Sequence, residues 1–117
     1  MDAQGGTIVG RLAANLFECG VADLVTLIVA HSQRAAQLFA PESVDFAFVD
    51  AGHDFHSVLS DLASWWPRIK PGGVLAGDDY GDPAWPEVTR AVQQFFRRND
   101  LRSSLCPDCW QVNKAGA

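Results

Sequence analysis

The chain has 117 residues, enough for a real hydrophobic core but too few for more than one domain. Apolar residues make up 48% and charged residues 20%, a folded globular composition that excludes disorder. A net charge of −5 argues against nucleic acid or an anionic membrane surface as the main partner, since both call for a basic footprint.

In chain order, Met1 to Thr7 are small and polar and read as a frayed end to one domain spanning residues 1–117. Ile8, Val9, Leu12, Leu16 and Cys19 recur at helical spacing, with Cys19 as a small core residue and Gly20 as the stop. Leu24 to Ala30 is an apolar, β-branched run that predicts a strand covered on both faces. Ser32 caps a short helix carrying Ala35, Ala36 and Phe39, which Pro41 closes. A second strand follows from Val44 to Asp50. Phe55, Val58, Leu59, Leu62, Trp65, Trp66 and Ile69 form the apolar stripe of the next helix, which Asp54 begins. The two tryptophans read as core and interface packing.

Lys70-Pro71-Gly72-Gly73 predicts a turn, and Gly73 to Gly77 a third strand. Val88, Ala91, Val92, Phe95 and Phe96 mark a helix with Pro86 in its first turn. Leu101 to Leu105 and Trp110 to Val112 predict a closing hairpin around Cys106-Pro107-Asp108-Cys109. This order implies an α/β fold of about five strands, mostly parallel with an antiparallel C-terminal end.

The pattern has one chemical signature. Two apolar strands run into acid, at Asp50 and at Asp78-Asp79, with a single crossover helix between them. Parallel strands joined in this way deliver their C-terminal ends to one sheet edge, where open α/β folds place ligands. Three carboxylates there repel one another unless a metal, a cationic ligand or a shared proton sits among them.

From Val44 to Tyr80 the sequence VDFAFVDAGHDFHSVLSDLASWWPRIKPGGVLAGDDY resembles the class I S-adenosylmethionine-dependent methyltransferases. The resemblance is to the branch of cephalosporin-biosynthesis methyltransferase-like proteins and, more distantly, to catechol and caffeoyl-CoA O-methyltransferases. It implies a Rossmann-like three-layer sandwich and methyl transfer to a hydroxyl of a small molecule. It also implies S-adenosylmethionine as cofactor and Asp50, Asp78 and Asp79 as ligands of a divalent metal, magnesium in most relatives. His53 falls where catechol-type relatives carry a basic lysine, which implies a general base. Ser32 and Gln33 match a loop that touches the cofactor's adenine in those relatives.

Two departures accompany the resemblance. Ala30-His31-Ser32 stands where closer relatives have Gly-Asp-Ser. The family's first strand and Gly-rich cofactor loop find no counterpart, since no apolar strand precedes Gly5-Gly6, so the chain reads as N-terminally truncated. Missing elements would leave apolar surface bare, which implies a homodimer. The alternative reading is a non-catalytic, dimerising remnant of the methyltransferase fold that serves as an interaction module. A third is a metal-dependent hydrolase using the same acids.

Plainer roles compete for some of these residues. Aspartates at strand ends often cap the next loop or helix, and His31 and His56 read as solvated. Cys106 and Cys109 read as plain thiols, as half of a zinc site shared across a dimer, or as a redox pair. Three cysteines, an odd count, imply no disulfide framework and a cytoplasmic home. No run has membrane-span length and the N-terminus lacks a secretion-signal profile.

Overall fold

The computed structural model describes residues 7–50, 52–101, 104–106 and 108–116. It divides into two compact units, Met1–His31 and Ser32–Ala117. The expected fraying of the first residues falls almost wholly outside the described part.

In the first unit, helix α1 spans Ile8–Glu18. The Thr7 side chain accepts from the Gly10 amide at 2.9 Å, satisfying one of the free N–H groups of the first turn. At the other end Gly20 takes φ +73°, and its amide bonds Phe17 O while that of Val21 bonds Leu16 O. That double closure is the Schellman arrangement, so the glycine stop read from sequence stands. Cys19, expected in the core, is exposed.

The strand expected over Leu24–Ala30 does not form. Ala22–Leu24 make a 3-10 turn, and residues 25–29 belong to no helix or strand. An apolar β-branched run becomes a strand only where a neighbour pairs its N–H and C=O groups, and this unit describes no other strand. Leu24 is left 83% exposed and Val29 77%.

The second unit holds a four-stranded sheet, one fewer than expected, in the order β1-β2-β4-β3. Strand β1 is Val44–Val49, β2 Ile69–Asp78, β3 Ser104–Cys106 and β4 Cys109–Asn113. β1 and β2 run parallel, whereas β2/β4 and β3/β4 run antiparallel, so the sheet is mixed. Helices α2 (Ser32–Ala36), α3 (Phe55–Trp65) and α4 (Pro86–Arg98) complete the unit. The Asp54 carboxylate accepts from Ser57 N at 3.0 Å and so starts α3 as read from sequence.

Two boundaries move. Trp66–Arg68 tighten into a 3-10 turn around Pro67, so Ile69 leaves the helical stripe and opens β2 fully buried. The expected Lys70–Gly73 turn lies inside β2 as an irregularity. The register jumps from Val44↔Ile69 to Phe46↔Val74, with Gly72 at φ +85°. A Cβ on Gly73 would sit 2.8 Å from Asp45 O, so a glycine is required at that close approach.

The core joins Val58 and Leu62 of α3 and Val88, Ala91, Val92, Phe95 and Phe96 of α4 to Ile69, Leu75, Trp110 and Val112 of the sheet. The helical i, i+3, i+4 pattern of α4 thus becomes a continuous buried stripe. In the hairpin, Cys109 is disulfide-bonded, correcting the reading of a plain thiol or zinc ligand there. The ladder sets the backbones of Cys106 and Cys109 directly opposite, a spacing at which disulfides form. No described helix is long and apolar enough to cross a membrane.

Candidate active site

Parallel pairing of β1 with β2 aligns Val49 with Gly77, so the residues that follow emerge side by side. Asp50 leaves the end of β1, His53 lies in the short link to α3, and Asp79 follows β2 at φ +64°. Asp is among the residues that tolerate this left-handed conformation, which turns the chain sharply after the strand. Oxygen atoms of Asp50 and Asp79 and a ring nitrogen of His53 all lie within 4.8 Å of one another. Asp50 is exposed; His53 and Asp79 are half-buried.

His53 is held from two sides. Its Nε2 lies 3.1 Å from Asp79 Oδ2. Its ring stacks on Trp85 with centroids 3.9 Å apart and planes 18° from parallel. In the tautomer whose Nε2 proton is donated to Asp79, the Nδ1 lone pair is left over. That is the tautomer a general base needs.

Asp78 stands slightly apart. Its backbone is in the ladder opposite Cys109, and it lines a small pocket with Asp50 and Asp79, but it is not one of the three converging donors. The donor set suits a hard cation at the two carboxylates, where oxygen ligands are preferred, with an imidazole alongside.

A second feature adjoins this cluster through Asp50. A cavity of about 520 Å³ runs along β1, lined by Ser32, Phe39, Val44, Phe46, Ala47, Phe48, Val49, Asp50 and Trp65. Ser32 therefore faces a cavity, whereas Gln33 does not line it. Trp65, read from sequence as packing, both touches the core and lines this space, and its Nε1 donates to Ser32 Oγ at 2.8 Å.

Beneath Ser32 and Gln33 lies a residue the sequence reading passed over. Asp61 is 4% exposed, the one buried charged or polar residue among those described. It accepts from Gln33 Nε2 at 3.4 Å and is hydrogen-bonded by the Ser32 side chain. Burial pushes its carboxyl above the ordinary 3.8, opposed by those two hydrogen bonds. The signal was present: position 61 lies three residues after Val58 and four before Trp65, on the apolar stripe of α3. Trp85 was also missed, having no periodic context of its own.

Because the folded value lies above the unfolded one, the native state binds the proton more tightly, and Asp61 favours folding less as pH rises through the window above 3.8. Lowering pH through that window is therefore expected to stabilise the wild type relative to Asp61→Asn, as read by urea denaturation at stepped pH. An unchanged difference would refute it.

A family model of a methyltransferase domain matches residues 3–80. The chain belongs to that family, among the class I S-adenosylmethionine-dependent methyltransferases. An uncharacterized protein of Acanthamoeba polyphaga mimivirus is 33% identical over 56 residues, which is 47% of this chain and 25% of that protein. A solved Corynebacterium glutamicum protein superposes with a TM-score of 0.74 at 18% identity, covering 92% of this chain and 56% of that one. The TDP-rhamnose 3′-O-methyltransferase of calicheamicin biosynthesis gives 0.67 at 15% identity over 95% and 54% of the two chains. An S-adenosylmethionine-dependent O-methyltransferase of Thermotoga maritima gives 0.57 at 16%, over 90% and 45%. At these identities the likeness speaks for a Rossmann-like α/β fold. The chain spans a quarter of the curated relative and about half of each of these solved structures.

Proposed function

We propose that this chain serves methyl transfer from S-adenosylmethionine to a hydroxyl oxygen of a small molecule. One observation carries the reading: Asp50 belongs both to the cavity along β1 and to the cluster with His53 and Asp79. A donor seated in the cavity and an acceptor at the cluster would then meet across a single residue.

In this reading Asp50 and Asp79, with Asp78 beside them, hold a divalent metal, magnesium by the hardness of the ligands. When bound, the metal supplies Lewis-acid lowering of the acceptor hydroxyl's pKa and a template for its oxygen. His53 takes the hydroxyl proton on Nδ1 while Asp79 fixes the ring through Nε2 and Trp85 limits its tilt. Ser32 serves the adenine end of the cofactor from the cavity wall, with Gln33 hydrogen-bonded to Asp61 behind it.

Isothermal titration with S-adenosylhomocysteine, with and without magnesium, tests this. Saturable binding that strengthens with magnesium is expected; no binding under either condition would overturn it.

The interaction-module reading has its own support. β1 is an edge strand among the described residues, and Phe46 and Phe48 on it are 58% and 53% exposed. An open edge carrying two phenylalanines favours pairing with a second copy, and a homodimer is compatible with either reading. Light scattering of the titrated sample reads this directly, and a monomer at all concentrations would remove it.

A further inference from the structure

The disulfide-bonded hairpin is joined by its backbone to the carboxylate cluster. Cys109 pairs with Asp78 in the β2/β4 ladder, and beyond that rung the Tyr80 amide donates to Asp108 O at 3.3 Å. Two steps along one strand, from Asp78 to Tyr80, thus answer one step along the other, from Cys109 to Asp108. Asp79 is the extra residue. This two-against-one count is that of a β-bulge, which lifts a residue out of the ladder and re-aims its side chain. The carboxylate so re-aimed is the one that meets His53 Nε2 at 3.1 Å and converges with Asp50.

Both sides of the bulge carry left-handed backbone, Asp79 at φ +64° and Asp108 at φ +63°. A non-glycine residue keeps that conformation only where its surroundings over-determine it. For Asp79 the hairpin tip is part of those surroundings. The outer arm of the hairpin is short, since β3 has three residues, Ser104–Cys106, at the end of the strand order. An arm that brief is marginal on its own backbone bonds and opens locally before the core does. The cross-link at Cys109 restrains that opening.

We propose that the disulfide at Cys109 is a redox-sensitive clamp on Asp79. Intact, it fixes the hairpin tip that presents this carboxylate to the metal; reduced, it lets the tip and the bulge relax. A dithiol reductant breaks the S–S bond by exchange. The two cysteine sulfurs take up two electrons and two protons and become thiols, while the dithiol loses them and closes to its own disulfide. The inference rests on Asp79 being a magnesium ligand, as proposed above, and adds what holds it in place and what releases it.

The test uses the whole chain carrying Cys19→Ser, so that the exposed thiol takes no part. Thiols should be absent before treatment with dithiothreitol and appear after it; thiols present at the start would remove the clamp outright. Magnesium titration by calorimetry under argon is expected to show at least about tenfold weaker binding in the reduced chain, the usual loss when a ligand's orienting partner goes. Reoxidation should restore it. Hydrogen exchange gives a second reading: the Tyr80 amide should lose protection on reduction while that of Leu75, in the middle of β2, keeps it. Loss at both amides together would show that the disulfide supports the whole fold and would overturn a local clamp. Cys109→Ser should reproduce the reduced behaviour without reductant; if it does not fold, the reduced chain carries the test. If oxidised and reduced chains bind magnesium equally, the clamp is overturned and the metal reading stands. If the oxidised chain binds no magnesium, the metal reading falls and takes this inference with it.

Discussion

Trp110→Ala is expected to lower the unfolding free energy of the Ser32–Ala117 unit by about 3–5 kcal/mol, the range for removing a large buried aromatic. Trp110 is 2% exposed on β4. Its ring meets Phe96 of α4 edge-on, with centroids 5.7 Å apart and planes at 77°. It also pairs in register with Gly77, one residue before the acid-bearing end of β2. Small domains have total stabilities of about 5–15 kcal/mol, so a loss of this size is expected to leave a sizeable unfolded population.

Gly77 makes the same point from the other strand. A Cβ there would lie 2.6–2.7 Å from three atoms of the Trp110 indole, which is itself buried and has little room to withdraw. Gly77→Ala should therefore cost about 1–3 kcal/mol by overpacking. In the double variant the small side chain at position 110 removes the clash, so the combined loss should be less than the sum of the two. Denaturant titration followed by circular dichroism measures all three. Strict additivity would show that the two positions do not share this contact.

The second large effect is expected at His53. If the imidazole is the base, His53→Ala should reduce methyl transfer by about 10²–10⁴-fold while magnesium still binds, because general-base catalysis is worth that much. Asp50→Ala should do the reverse in kind, lowering magnesium affinity by at least about tenfold, or ~1.4 kcal/mol. The pair of titrations distinguishes a base from a ligand. Should His53→Ala abolish magnesium binding instead, the imidazole belongs to the metal's coordination sphere and the base lies elsewhere.

Much of this was legible in the sequence because it rests on local periodicity. The stripe of α4, the crossover helix and the two acid-ended strands all follow from spacing that burial then enforces. The convergence of Asp50 with Asp79 follows from parallel pairing, which the single crossover helix between them implied. The missed features depend on partners distant in sequence. Leu24–Ala30 had strand composition, yet strands need a neighbour, and composition does not say whether one is there. Asp61 acquires its meaning only when Ser32, 29 positions earlier in the numbering, folds over it. Trp85 matters because it stacks on His53 across a chain reversal that Asp79 makes. The hairpin cysteines read as a C-x-x-C pair with three possible roles, and only the ladder register shows their backbones opposite one another.

The irregularity near the start of β2 sets the phase of every residue that follows it toward the carboxylates. Two steps along β1, from Val44 to Phe46, correspond to five along β2, from Ile69 to Val74, and beyond that point the strands advance together to Val49 and Gly77. The kink thus acts as a phase adjuster. The kink is itself pinned at the far end from the carboxylates, by Gly72 N to Lys114 O at 2.8 Å and Lys114 N to Gly73 O at 2.9 Å. A single deletion between Val74 and Gly77 would exchange inward and outward side chains and carry Asp79 away from His53.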